Sequence, residues 1–387
     1  MTRPRPLEPG SGFAGAPTPW GAGALRGTLT DTSYLVHGSR VFTSLRRNRT
    51  DRVTSKALSE AETLAHDGRR LEAIDVLNAA NRVSRNADVE EQLVRLRYEA
   101  FDELSAAKGL ESWPPEAPDL FPDTGFVEIP ARDLTADALR SGILRHGCLA
   151  VRGLVPPARV ALLTGAVDSA MNACAEWEKE RTAETGPWFA PFDMGNGATL
   201  RQERRWVTGG GGVWTVDSPR AMFDVLETFT EIGLAAPLTG YLGERPALSV
   251  KKWTLRRVPV TSGTNWHQDG AFLGQGIRTV NCWLALSHCG EDAPGLDIVP
   301  KRLDSILPTG TEGAIFDWSV GEAVVHRAAG GAPVLRPIFE PGDALFFDER
   351  FLHRTAVSEA MTRERYAIES WFFAPSHYPG DQLPVVF

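Results

Sequence analysis

Apolar residues early in the chain recur at helical spacing. Leu58, Ala61, Leu64 and Ala65 share one helix face, and Gly68 breaks the run. Ala73, Ile74, Leu77 and Ala80 resume the pattern, and Val89, Leu93, Leu96 and Ala100 make a third stripe. This predicts three antiparallel helices within residues 46–110. The stretch Trp113-Pro114-Pro115-Glu116-Ala117-Pro118 closes the segment, because proline cannot continue a helix. Beyond Phe126 the periods mix. Val127, Ile129 and the Leu149–Leu154 run read as strands, while 133–145, 157–181 and 219–241 read as helices. Short apolar runs bounded by turn residues then continue to Phe373. The expected fold is α+β over residues 120–387: a double-stranded β-helix (jelly-roll, cupin-like) barrel with flanking helices. Residues 1–45 are rich in Pro and Gly, bury little, and are expected to form a flexible tail.

Two segments carry cations in patterned settings. Residues 183–217 are Gly-rich and hold Arg201, Arg204, Arg205, Trp206 and Trp214. They read as an irregular active-site lid, since Gly209-Gly210-Gly211-Gly212 holds regular structure poorly. Ser249–Val258 reads as a strand. Alternation places Lys251, Trp253, Leu255 and Arg257 on one face and Lys252, Thr254 and Arg256 on the other, with either face able to line a barrel. Arg257 and the three arginines of the lid suggest a small-molecule substrate with an acidic group, with Trp206 beside it.

The 387 residues carry a net charge of −8, so no general attraction to nucleic acid or to an anionic membrane is expected. No window is long and apolar enough to span a bilayer, and the start lacks the apolar stretch of an export signal. Cys148, Cys174, Cys282 and Cys289 show no zinc spacing, and Cys148 and Cys282, in apolar strand-like runs, read as buried free thiols. A reducing cytoplasm is the expected compartment.

The chemistry concentrates in His267-Gln268-Asp269, with His353 far downstream. Residues two apart on a strand point the same way, so His267 and Asp269 can reach one metal. Glu340-Pro341-Gly342-Asp343 reads as a turn into the apolar strand that delivers His353. Two imidazoles and a carboxylate form the facial set that leaves half of an octahedral Fe(II) open. His288, His326 and His377 have no partner motif.

His267-Gln268-Asp269-Gly270, Pro341-Gly342-Asp343, His353-Arg354-Thr355 and Arg365-Tyr366-Ala367-Ile368 together resemble the phytanoyl-CoA dioxygenase family of Fe(II)/2-oxoglutarate oxygenases. Val280–Leu286, Pro294–Pro300 and the opening strand 146–155 extend the likeness over roughly residues 125–375. Where the family often continues Gly-Ser-His after the Pro300 turn, this chain has Lys301-Arg302. The resemblance implies that His267, Asp269 and His353 ligate Fe(II). It also implies that Arg365 grips the distal carboxylate of 2-oxoglutarate and that Thr355 shares it, with Trp283 and Gln268 beside the co-substrate. A guanidinium fork suits a carboxylate, and Arg363 is the competing arginine.

The implied reaction couples O₂ and 2-oxoglutarate to oxidation of a small metabolite or natural-product intermediate, by default a hydroxylation, with release of succinate and CO₂. A non-redox cupin-like metalloenzyme such as an isomerase would keep the triad but need no arginine clamp. A non-catalytic sensor would use the N-terminal helices, which faintly resemble a tetratricopeptide hairpin, for partners. Those helices are also expected to serve as a cap or homodimer contact, and to be dispensable for chelating iron and co-substrate.

Overall fold

The N-terminal stripes become α1 (52–66), α2 (Arg70–Val83) and α3 (Ala87–Glu99), followed by a short α4 (Phe101–Ser105). Asn86 caps α3 by accepting a hydrogen bond from the Val89 N–H at 3.1 Å. The computed structural model describes residues 52–105, 112–122, 125–181, 184–194, 197–274 and 276–387. The tail expected over 1–45 and part of the proline-flanked boundary lie outside these residues.

The apolar face of the helices is covered from within the chain. Ala73, Leu77, Leu93 and Leu96 pack with Phe223, Ala247 and Val386 of the catalytic half. Arg97 donates to the Val386 carbonyl at 2.8 Å, and Arg82 and Arg85 pair with Glu227 and Asp224. The face that suggested a second copy is therefore occupied by this chain. A chain beginning at residue 112 would expose Phe223, Ala247 and Val386. It should melt at a clearly lower temperature than the full chain, measured by circular dichroism; equal melting temperatures would show that the helices add nothing to the barrel.

The catalytic half is built on two facing sheets. The larger contains β1 (Glu128–Pro130), β2 (Cys148–Arg152), β7 (Ala344–Phe347), β5 (Thr279–Ala285), β9 (Arg365–Phe373), β4 (Ala247–Val258) and β10 (Pro384–Val386) in that spatial order, with β3 (Gly212–Trp214) on β4. The smaller pairs β6 (Gly295–Ile298) with β8 (His353–Ala356), extended by bridges from His267 to His353 and from Leu335 to Ile298. Together they make the jelly roll. Trp283, Leu345, Phe347, Ala367, Trp371 and Phe373 fill the space between the sheets. The other face of the larger sheet is covered by α5 (Ala136–His146), α6 (Pro157–Lys179), α8 (Pro219–Glu231) and α9 (Ala235–Leu242).

Among its described residues, the segment expected to be an irregular lid has regular structure. It holds α7 (Gly197–Gly209) and β3, which pairs antiparallel with Arg256, Leu255 and Thr254. The glycine run works as a turn between them. Gly211 has φ +74°, and a Cβ there would lie 2.5 Å from the Arg257 carbonyl oxygen. The glycines thus permit a tight return rather than a loose loop. The Lys301-Arg302 departure also has a structural reason: Arg302 pairs with the buried carboxylate of Asp348.

Candidate functional site

His267 and His353 stand directly opposite one another in an antiparallel pair. Each accepts the other's backbone N–H, at 3.0 and 3.1 Å, and the ring centroids are 4.4 Å apart. The chain turns after Asp269 into the single-turn α10 (Gly270–Leu273). That turn requires glycine at 270, because a Cβ would sit 2.4 Å from Ile306 Cδ1 and 2.9 Å from the Glu349 carbonyl. The ligand atoms of His267, Asp269 and His353 all fall within 4.8 Å of one another.

The backbone also fixes the imidazoles. His267 Nδ1 donates to the Asn265 carbonyl at 2.8 Å, and His353 Nδ1 to that of Phe351 at 3.1 Å. Both Nε2 atoms are left to face the centre, as a metal ligand requires. Burial and the neighbouring His267 hold His353 down to about 4, so it is neutral near pH 7. Burial works against ionisation of Asp269. Lys252, His267 and His353 outweigh it and keep the carboxyl well below its usual range. Lys252 Nζ donates to Asp269 Oδ1 at 2.9 Å. The donor set, two imidazoles presenting Nε2 and one carboxylate, fits Fe(II).

Arg365 is fully buried. Its Nη1 donates to the Gly295 carbonyl at 3.1 Å, while Nε and Nη2 have no partner among the described residues. Its guanidinium lies 5.4 Å from the Trp283 ring centroid. Burial pulls it down to about 10, which leaves it charged near neutrality. A buried guanidinium with open donors is costly without an anion. Arg363, the competitor, is 64% exposed and pairs with Asp292 at 3.4 Å. It lies before the first residue of β9, so strand parity does not govern it. Thr355 lies two residues beyond His353 on β8, opposite Leu296, beside the Gly295 carbonyl that holds Arg365.

Gln268 does not reach the centre. Its side-chain N–H groups donate to the Arg350 and Ser305 carbonyls, at 2.6 and 3.2 Å, and its Oε1 accepts from the Leu307 N–H at 2.7 Å. Sitting between two inward residues, it points outward and ties down a loop. On β4, Lys252, Thr254 and Arg256 face the interior: Thr254 donates to Glu369 at 3.1 Å, and Arg256 lies 3.7 Å from that carboxylate. Burial opposes the Glu369 charge, but Arg256 and Arg365 hold its carboxyl below the usual range. The sequence signals Glu369 only as the lone carboxylate within Tyr366–Phe373.

The cations expected at the substrate are divided. Arg257, on the opposite face of β4, donates to Asp168 at 2.8 Å. Arg204 donates to Asp217 at 2.7 Å and also to the Phe192 carbonyl. Both are committed to carboxylates of the fold. Arg201, Arg205 and the largely exposed Trp206 line a surface cleft with Trp177 and Arg181.

Imidazoles and a carboxylate that can hold iron, set in a jelly roll with a buried arginine free to take an anion, describe the iron/2-oxoglutarate oxygenases. The sequence carries the same answer more narrowly: residues 143–361 match the model of the phytanoyl-CoA dioxygenase (PhyH) family. That span is more than half of the 387 residues, and the chain belongs to this family. Its cofactors are Fe(II), with 2-oxoglutarate and O₂ as co-substrates. No curated protein matches the chain. Among solved structures it is similar to EctD from S. alaskensis with 2-oxoglutarate and 5-hydroxyectoine, at 13% identity and a TM-score of 0.44, covering 70% of this chain and 88% of that one. AviO1 from Streptomyces viridochromogenes Tue57 gives 17%, 0.41, 64% and 98%. The carbocyclase SnoK from nogalamycin biosynthesis gives 15%, 0.39, 64% and 86%. The family assignment rests on the sequence match alone. Among the described residues no helix is long and apolar enough to cross a membrane.

Proposed function

We propose that this oxygenase is a dioxygenase that hydroxylates a small metabolite or natural-product intermediate, converting 2-oxoglutarate and O₂ to succinate and CO₂. The observation that carries the reading is the buried Arg365, with two unpartnered nitrogens, beside the clustered His267, Asp269 and His353. In this reading both Nε2 atoms and the Asp269 carboxylate hold the iron. Arg365 takes the distal carboxylate of the co-substrate through a charge-assisted fork, Thr355 shares that carboxylate, and Trp283 forms the apolar floor beneath the guanidinium. Bound iron supplies the redox chemistry: O₂ is reduced as the 2-oxo acid loses CO₂, one oxygen entering succinate and the other the substrate. The side chains themselves bind, orient and exclude water.

A non-redox isomerase would have no use for an arginine with open donors, and a sensor would need neither that arginine nor three inward ligands. An acidic substrate group has weaker support, since Arg204 and Arg257 are already paired; Arg201 and Arg205 are the candidates left. Anaerobic Fe(II) protein titrated with 2-oxoglutarate should develop the metal-to-ligand charge-transfer absorption of the chelate. A flat spectrum despite bound iron would refute the reading.

A further inference from the structure

The loop between β6 and α11 (Glu322–Ala329) brings Trp318 beside the metal ligand His267, with Phe316 stacked on it. Phe316 and Trp318 stack in parallel, with centroids 5.4 Å apart and planes 3° apart. Trp318 meets Phe272 at 5.8 Å and turns its edge to the His267 ring at 6.1 Å. Phe272 is itself 6.2 Å from His267. An aromatic surface thus runs without a break from the imidazole of a metal ligand to solvent.

This surface is built. The Val320 N–H donates to the Trp266 carbonyl at 2.8 Å, one residue before His267. The Gly310 N–H donates to the Ser319 carbonyl at 2.9 Å, and the Ser319 hydroxyl to that of Phe316 at 2.9 Å. Gly321 is wedged so closely that a Cβ would lie 2.2 Å from the Glu312 carbonyl oxygen. The loop is therefore held by its own hydrogen bonds and by the strand end that bears His267.

Its rings are nevertheless open: Phe272 is 38% exposed and Phe316 50%. The core beneath them, with Trp266, Val320, Val324 and Leu352, is complete without them. Large apolar groups exposed together beside a reactive centre mark a binding surface. Lys252 Nζ lies 5.1 Å over Phe272, but Asp269 already holds it, so the wall is read as apolar.

Resting on the iron reading above, we infer that Phe272, Phe316 and Trp318 form the substrate-recognition wall, and that the substrate presents a planar, unsaturated ring system to it. Aromatic pairs favour offset-stacked and edge-to-face contact beyond the area they bury. A puckered or chain-like skeleton would bury similar area without that gain.

The test is calorimetric titration of the Fe(II)-loaded full chain, kept anaerobic with 2-oxoglutarate, using 2-naphthol and its saturated analogue decahydro-2-naphthol. The wild type should bind 2-naphthol about threefold to tenfold more tightly than the saturated skeleton. Phe316→Leu and Trp318→Leu keep an apolar side chain without the ring and should erase that preference. Equal binding of the two skeletons, leucine variants that keep the preference, or no binding of 2-naphthol up to its solubility limit would each overturn the inference. The 2-oxoglutarate absorption band is read separately. Its absence from the wild type would remove the iron reading while leaving the naphthol preference to be judged alone.

Discussion

His353→Ala or Asp269→Ala will abolish turnover and weaken Fe(II) binding. Each variant leaves two protein ligands where the facial set needs three, and the open positions lose their fixed geometry. Loss of an outer-shell partner of a metal ligand typically costs about 10–100-fold in affinity, so loss of a ligand itself should exceed about a hundredfold. The two variants should differ in a second respect. His353 is wedged between Phe347 and Phe351, with ring centroids 4.9 and 5.7 Å away, so its removal opens a cavity and lowers the melting temperature. Removing Asp269 leaves Lys252 without its carboxylate. The check is metal content after dialysis against buffered Fe(II), together with succinate release. Wild-type iron occupancy and turnover in either variant would dismiss the triad.

Much of this centre could be read from the sequence because its parts are local and periodic. His267 and Asp269 are two residues apart, and the Pro341-Gly342-Asp343 turn announces the strand before His353. Gly342 is required there, since with φ +97° a Cβ would lie 2.3 Å from the Val155 carbonyl. The family motif at Gly270 has the same kind of cause. Other parts depend on distant chain segments. Alternation divided the β4 side chains correctly into two faces but gave no inside, because burial depends on which sheet and which helices cover each face. The structure assigns Lys252, Thr254 and Arg256 to the interior through contacts with Asp269 and Glu369. The sequence does not show that Arg204 and Arg257 are paired within the fold, because Asp217 and Asp168 lie 13 and 89 residues away. The resemblance implies a place for Gln268 beside the co-substrate, but the alternation that puts His267 and Asp269 together turns it away, onto Arg350, Ser305 and Leu307. The glycine run at 209–212 looks loose by composition, but Gly211 is there for a tight return against Arg257. Phe316 and Trp318 had no signal, since a loop between a strand and a helix has no period to read.

The remaining large effect separates the two arginines ahead of and within β9. Arg365→Ala should weaken 2-oxoglutarate binding by about 30-fold to several thousandfold. Truncating one partner of a buried, hydrogen-bonded charge pair costs about 2–5 kcal/mol, and each 1.36 kcal/mol is about tenfold. Arg363→Ala should leave the affinity unchanged, because that side chain is 64% exposed and its partner is Asp292. Arg365→Lys should fall between wild type and alanine, since an ammonium keeps the charge but loses the fork. Stability should move the other way. Without co-substrate, Arg365 holds a charge in the core with one hydrogen bond and two unpaired nitrogens. Replacing a poorly compensated buried charge by an apolar side chain of similar length is often neutral or stabilising. Arg365→Met should therefore melt no lower than wild type when metal and co-substrate are absent. Saturating 2-oxoglutarate should raise the melting temperature of Fe(II)-loaded wild type and fail to raise that of the methionine variant, because ligand stabilisation grows with the ratio of ligand concentration to Kd. A purely structural arginine would behave oppositely, destabilising the apoprotein on removal and leaving the response to 2-oxoglutarate intact.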